Sequence, residues 1–235
     1  MRLGQLQSNL AILGFDTSKS HCAAALLKNG SEITTKLKKM QKGQVENLFP
    51  ILESLIEKKS ISWHELDAIA VGIGPGNFTG IRLSVSAARG IALGLGIPAI
   101  AVSSFELMKV GLELTTDSEG IQIFSLPGPR DSVYIQIFKN NLVINDGQQI
   151  NIETLDIDIP FKDQSTVIGY RASEIAKKLQ CKYLEKELLN IPENIVKVAK
   201  NKFVTGLDKG SRPTPLYIRA ADAEVSKEKM VNILC

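Results

Sequence analysis

Short apolar runs bounded by turn residues alternate along this chain with segments whose apolar positions return at helical spacing. Ala11 to Phe15 reads as a strand that ends at Asp16-Thr17-Ser18. Cys22 to Leu27 reads as a second, and Asn29-Gly30 turns it tightly into a third, Ser31 to Lys38. Gln44 to Lys59 carries Val45, Leu48, Ile51, Leu52, Leu55 and Ile56 on one helical face. Pro50 fits that helix if it opens near Asn47, because a first turn needs no donor there. Ser62-Trp63-His64-Glu65 is a capping-box pattern ahead of a strand at Ala68 to Val71. Ile81 to Gly96 reads as one helix and Pro98 to Val102 as a strand. Ser103-Ser104 caps a further helix from Phe105 to about Leu114.

Thr115 to Gly120 is a polar, turn-prone break. Beyond it strands are expected at Ile121 to Leu126, Val133 to Lys139, Leu142 to Ile152 and Ser165 to Gly169. Helices are expected at Ser173 to Leu179 and Pro192 to Phe203. The order predicts an α/β fold of two halves, each a mixed sheet flanked by helices. The halves are placed at residues 1–110 and 111–235, with the late helix free to pack back on the first half.

The chain is organised around Ala68-Ile69-Ala70-Val71-Gly72-Ile73-Gly74-Pro75-Gly76-Asn77-Phe78-Thr79-Gly80-Ile81-Arg82, a strand that runs through a glycine-rich turn into a helix. Such a turn lets another backbone, or a ligand, come very close. Neither familiar phosphate loop is present. No lysine follows the glycines as a Walker loop requires, and Asn77 and Thr79 stand where a dinucleotide fingerprint needs its third glycine. Within the helix, Ser86, Gly90 and Gly94 recur four apart and make a flat ridge on which another helix can lie.

Composition narrows the picture modestly. With 44% hydrophobic and 23% charged residues among 235, the chain is globular and long enough for a stable core. A net charge of +3 does not argue for nucleic acid, and basic and aromatic residues are not interleaved as a free-standing RNA-binding module would need. No apolar run approaches the roughly 20 residues that span a bilayer, and the first residues lack an apolar signal core. Cys22, Cys181 and Cys235 are isolated, which fits a reducing cytoplasm and excludes a thiolate metal site.

Candidate chemistry is sparse. Asp16 and Ser18 either cap a turn or face a ligand. His21 and His64 are too far apart in sequence for a His-x-x-x-His metal pair and read as ordinary surface or turn histidines. Cys22 lies in an apolar strand and is expected to be inert, and no serine has an evident histidine partner. Arg82 occupies a first helical turn, where the macrodipole disfavours a cation; it would reach an anion, a partner carboxylate or a local acidic group. Arg89 lies on the same helical face.

Gly74-Pro75-Gly76-Asn77-Phe78-Thr79-Gly80-Ile81-Arg82 closely resembles the signature of the TsaB (YeaZ) family, and Pro215-Leu216-Tyr217-Ile218-Arg219 is similar to that family's Pro-x-Tyr-x-Arg close. The likeness covers most of residues 11–219, strongly to about 105 and thinly after it. It implies two actin-like (ribonuclease H-like, ASKHA) halves. It also implies a non-catalytic subunit of the complex that transfers threonylcarbamoyl to N6 of the adenosine beside the anticodon, with TsaD and the ATPase TsaE as partners. tRNA is then met only through the complex, and a homodimer forms when the partner is missing.

The ligand or phosphate-loop candidates implied are Asp16, Thr17, Ser18, Gly74, Gly76, Thr79, Gly80 and Arg82. The partner interface implied is Val45, Leu48, Leu52, Leu55, Ser86, Arg89, Gly90 and Gly94. No catalytic or metal residue is assigned, and any ATP or ADP would sit at the interface of the complex. Two departures stand out: Gln44 replaces a histidine common in the family, and Pro127-Gly128-Pro129 replaces its Asp-Ala-Arg, with Arg130 and Asp131 following. The enzyme alternative is a nucleotide-dependent phosphotransferase or a peptidase of the same fold class, which fold alone does not separate.

Overall fold

The computed structural model describes residues 9–112, 120–140, 142–155, 164–207 and 212–218. Its first sheet contains β1 (Ile12–Asp16), β2 (His21–Lys28), β3 (Glu32–Lys39), β4 (Ala68–Gly74) and β5 (Ala99–Ser103), in the order β3-β2-β1-β4-β5. β1 runs antiparallel to β2 and parallel to β4, pairing Phe15 with both Ala24 and Val71. β4 runs parallel to β5. Parallel strands need both faces covered, which is why β1 and β4 are apolar almost throughout.

One face is covered by α1 (Gln44–Lys58) and α2 (Phe78–Leu95), packed on Leu13, Phe15, Cys22, Ala24, Leu26, Ile69 and Val71. The other is covered by α5 (Ile191–Thr205), which returns from the far end of the chain and seats Ile195 and Val196 against Ile12, Ala23, Ala25 and Ala70. Gly14 makes that close seat possible. A Cβ there would stand 2.8 and 2.9 Å from the side chains of Ile195 and Val196.

The second sheet holds β6 (Ile121–Pro127), β7 (Val133–Lys139), β8 (Leu142–Val143), β10 (Ser165–Gly169) and β11 (Lys182–Glu185), ordered β11-β10-β6-β7-β8, with β9 (Gln148–Ile150) also on β7. β6 is antiparallel to β7 and parallel to β10, so this sheet repeats the connectivity of the first. α4 (Ala172–Leu179) covers one face, and α3 (Ser104–Val110) contributes Phe105 and Met108 to the other, beside Leu216 and Ile218.

Several local expectations are corrected. α1 opens at Gln44, behind Gly43 at φ 94°, so Pro50 lies inside the helix and not in its first turn. Pro50 and Glu46, whose carbonyl the missing N–H would have met, are both exposed, so water can take the bond. α3 closes at Val110, with Gly111 as its C-cap, short of Leu114, which lies outside the described residues. β11 was not anticipated at all. The expected break at residues 115–119 and Arg219 of the closing motif also lie outside the described residues.

Candidate functional site

β1, β4 and β5 are parallel and end together at Asp16, Gly74 and Ser103. The C-terminal edge of such strands is where α/β sheets usually hold their sites. Asp16 is buried, and its Oδ1 accepts from the Ser18 backbone N–H (3.1 Å) and the Ser18 hydroxyl (2.9 Å) and lies 2.8 Å from Nε2 of His21. Its Oδ2 has no hydrogen-bond partner and is pressed against Gly72, where a Cβ would overlap it.

The glycine turn docks on this turn backbone to backbone. Asn77 N–H donates to the Ser18 carbonyl at 2.6 Å, and Thr17 Oγ1 donates to the Gly80 carbonyl at 2.6 Å. A Cβ on Gly76 or Gly80 would run into the carbonyls of Ser18 and Thr17. Gly74 takes φ 93°, which only glycine adopts freely. Ser84 and Ser104 tie α2 and α3 to the same place through the carbonyls of Gly72 (3.1 Å) and Pro75 (3.2 Å). Asn77 caps α2 by accepting from Gly80 N–H at 3.0 Å.

A cleft of about 770 Å³ opens beside this junction. Ser18, Lys19 and Ser20 form one wall, Gln41 to Glu46 another, Pro75 to Gly80 a third, and Leu126 to Pro129 with Tyr134 face them from the second sheet. Of the ligand candidates, Ser18, Gly76, Thr79 and Gly80 line the cleft, whereas Asp16, Thr17 and Gly74 build it from behind. Arg82 is corrected. It stacks on the Phe78 ring (3.6 Å to the centroid) and donates through Nε to the Tyr217 hydroxyl (2.8 Å), away from the cleft. Of the two alternatives for His21, surface or turn, the second holds: it is 7% exposed and is bonded to the Asp16 turn. Cys22 is fully buried, and burial, reinforced by Asp16, pushes its thiol up to about 11, as an inert cysteine requires.

Three of the interface residues are corrected as well. Leu48, Leu52 and Leu55 are 0, 0 and 2% exposed and belong to the protein's own core, because the apolar face of α1 is what covers β2. Val45 (61% exposed), Ser86, Arg89, Gly90 and Gly94 do face solvent, and nothing lies within 4 Å of a Cβ at Gly90 or Gly94. Phe49 (45%) and Leu93 (82%) are exposed on the same helices and were not anticipated.

The cleft is poorly furnished for the metal-bound nucleotide that an actin-like fold suggests. The amide of Asn77 is spent on Ser18, that of Gly80 on Asn77 and that of Gly128 on Ser132, and Pro127 and Pro129 have none. The free oxygen of Asp16 points at Gly72. Arg130 and Asp131 do not line the opposite wall, and Asp131 pairs with Arg171 at 2.9 Å. No group of three metal-ligating side chains occurs among the described residues. The described residues therefore offer no ligand set for the metal of a metal-bound triphosphate.

Lys19, not among the candidates, is set deeper in the cleft than its position in the turn suggests. It lines this cleft and a second cavity of about 510 Å³ beside Gly169, Tyr170 and Glu185. Burial lowers its pKa, with Asp16 opposing. A lysine lowered in the fold binds fewer protons than its unfolded form, so its penalty is greatest on the acid side and fades as pH rises towards 10.5. Lys19→Met is therefore expected to raise the melting temperature at pH 7 by a few degrees, with the gain shrinking by pH 10. Thermal scans at both pH values check this, and a variant less stable than the parent at pH 7 contradicts it.

A family model described as TsaD: tRNA N6-adenosine threonylcarbamoyltransferase matches residues 35–156, more than half of the chain. The chain belongs to that family, in its TsaB (YeaZ) branch. The tRNA threonylcarbamoyladenosine biosynthesis protein TsaB of Haemophilus influenzae is 33% identical over 101 residues, 43% of this chain and 42% of the relative. Its Escherichia coli counterpart is 30% identical over 102 residues, 43% of this chain and 44% of the relative. The chain thus spans less than half the length of the curated TsaB relatives it matches. A Pseudomonas aeruginosa protein described as similar to peptidase YEAZ superposes with a TM-score of 0.70 at 19% identity, over 89% of this chain and all of that one. YeaZ from Pseudomonas aeruginosa gives 0.65 at 19% identity, over 84% of this chain and 93% of that one. These two structures carry the same fold.

Proposed function

We propose that this TsaB-branch chain is a non-catalytic subunit in the transfer of threonylcarbamoyl to N6 of the adenosine beside the anticodon. It works in the cytoplasm, pairs with a TsaD-type transferase and the ATPase TsaE, and meets tRNA only through that complex. The observation that carries the reading is the outer face of α2. Ser86, Gly90 and Gly94 form an exposed, nearly side-chain-free ridge beside Leu93, on a helix whose opposite face already covers the chain's own sheet. Glycine inside a helix costs about 1 kcal/mol relative to alanine, so an exposed glycine row needs a compensating contact. Val45 and Phe49 are exposed on α1, which packs on the same side of the sheet. Without the transferase the same surface closes a homodimer.

The consumed amides of Asn77, Gly80 and Gly128, and a free Asp16 oxygen turned to Gly72 and not to the cleft, favour the subunit role over the enzyme. Threonylcarbamoyl transfer by the pure chain without any partner would refute it. The decisive experiment is co-purification with the TsaD-type transferase of the same organism, comparing the parent chain with Gly90→Leu. Leucine meets open space in the isolated chain and is the better helix former, so melting should be unchanged or slightly higher. Affinity for the transferase should fall at least tenfold. Unchanged affinity would remove the ridge from the interface.

A further inference from the structure

Past the glycine row, where α2 ends at the αL residue Gly96, a groove of about 470 Å³ separates the helix from residues 212–213. Its larger apolar side chains are Leu93, Ile97, Pro98 and Pro213, and Arg89 and Arg212 also line it. Both arginines are exposed, and neither makes an ion pair or hydrogen bond among the described residues. Neither described segment that carries them offers a counter-charge. Residues 78–95 contain three alanines, two arginines and no aspartate or glutamate, and residues 212–218 contain no acidic residue either. The third arginine of this face, Arg82, is held by Phe78 and Tyr217, so it does not relieve the imbalance. Two guanidinium groups without an ion pair among the described residues call for an anionic occupant, and the apolar floor favours a protein carboxylate over a nucleic-acid phosphate. Guanidinium forks pair with carboxylates bidentately, and an apolar side chain between them would remove Leu93 from water.

We propose that this groove receives an acidic segment of the partner protein, an apolar side chain resting on Leu93, Ile97 and Pro213 with carboxylates on Arg89 and Arg212. The inference rests on the partnership proposed above and specifies its chemistry: the ridge gives close approach, and the groove gives charge selection and register. Charges at an interface rim act mainly on association rate and its salt dependence. The groove therefore makes complex formation faster at low ionic strength.

The test measures binding of the full chain to the TsaD-type transferase of the same organism between 50 and 500 mM salt, with Arg89→Glu/Arg212→Glu and Arg89→Lys/Arg212→Lys as variants. Both positions are exposed, so both variants should melt with the parent. The glutamate pair should weaken binding at low salt at least tenfold and flatten or invert the salt dependence. The lysine pair should keep the salt dependence. If the parent binds and the glutamate pair binds equally well with the same salt dependence, this inference fails while the partnership stands. If the parent does not bind the transferase at all, the partnership fails and this inference with it. If the glutamate pair instead abolishes self-association of the isolated chain and leaves transferase binding intact, the occupant is a second copy and the acidic-partner assignment is overturned.

Discussion

Gly80→Val should lower the melting temperature by about 2–12 °C, although it adds a better helix former to the first turn of α2. A Cβ at Gly80 would overlap the carbonyl oxygen of Thr17, which is backbone and cannot rotate away. That backbone is fixed from several sides. Thr17 Oγ1 donates to Gly80, the neighbouring Ser18 carbonyl accepts from Asn77, and Ser18 is held by Asp16. Overpacking a tight contact costs about 1–3 kcal/mol, and a lost buried hydrogen bond adds about 1 kcal/mol or more. Relief of the glycine's helix penalty returns only about 1 kcal/mol. The net loss is on the order of 1–3 kcal/mol, which for a chain of this size corresponds to the stated shift at roughly 2–4 °C per kcal/mol. Gly90→Leu in the same helix is the control, since it meets nothing. Melting of Gly80→Val within 2 °C of the parent would show that the two turns do not hold each other as described.

The sequence revealed the strands that are apolar on both faces and, through the Asn29-Gly30 turn, the exposed β3, but it hid β11. β1, β2 and β4 announce themselves because α1 and α2 cover one side and α5 the other, leaving no polar position to blur the pattern. β11 reads Lys-Tyr-Leu-Glu, is exposed at all four positions and pairs only with β10, so no periodicity marks it. α1 was expected to open late because Pro50 reads as a first-turn residue, whereas the stop is Gly43 in the left-handed region. Its leucine stripe shows the deeper limit. Period 3.6 shows that Leu48, Leu52 and Leu55 are covered, but it does not show whether the cover is the chain's own sheet or another molecule.

The site was legible as a set of residues and not as a set of directions. The Asp16-Thr17-Ser18 turn and the glycine turn were both visible, and parallel pairing of β1 with β4 brings them together. Which atoms face the cleft depends on bonds across long sequence distances. Arg82 is taken up by Tyr217, 135 residues away, and Thr17 by Gly80, 63 residues away. Lys19 and His21 sat beside the motif, but their burial follows from the packing of the two halves and of β2.

Asp16→Ala is expected to cost roughly 2–4 kcal/mol, and so to test whether this carboxylate is a ligand or a keystone of the turn. Three donors converge on Oδ1: the Ser18 amide, the Ser18 hydroxyl and Nε2 of His21 in its protonated tautomer. Alanine leaves them without an acceptor in a buried place, at about 1–3 kcal/mol for each donor that cannot find water. Part of that is offset, because Oδ2 is already unpaired and buried against Gly72, and removing it recovers its desolvation. The exposed Ser20 edge also lets water reach the loosened turn. Asp16→Asn keeps one acceptor for Ser18 and places its amide against Gly72, so it should lose about half as much. Chemical denaturation of both variants orders the outcomes: parent most stable, asparagine intermediate, alanine lowest. A ligand-binding aspartate gives the opposite pattern, since burying an unpaired carboxylate for function costs stability, and its removal leaves the fold as stable or more so. If Asp16→Ala unfolds at the same denaturant concentration as the parent or above it, the turn does not depend on this carboxylate, and Asp16 returns to the set of residues that face a ligand.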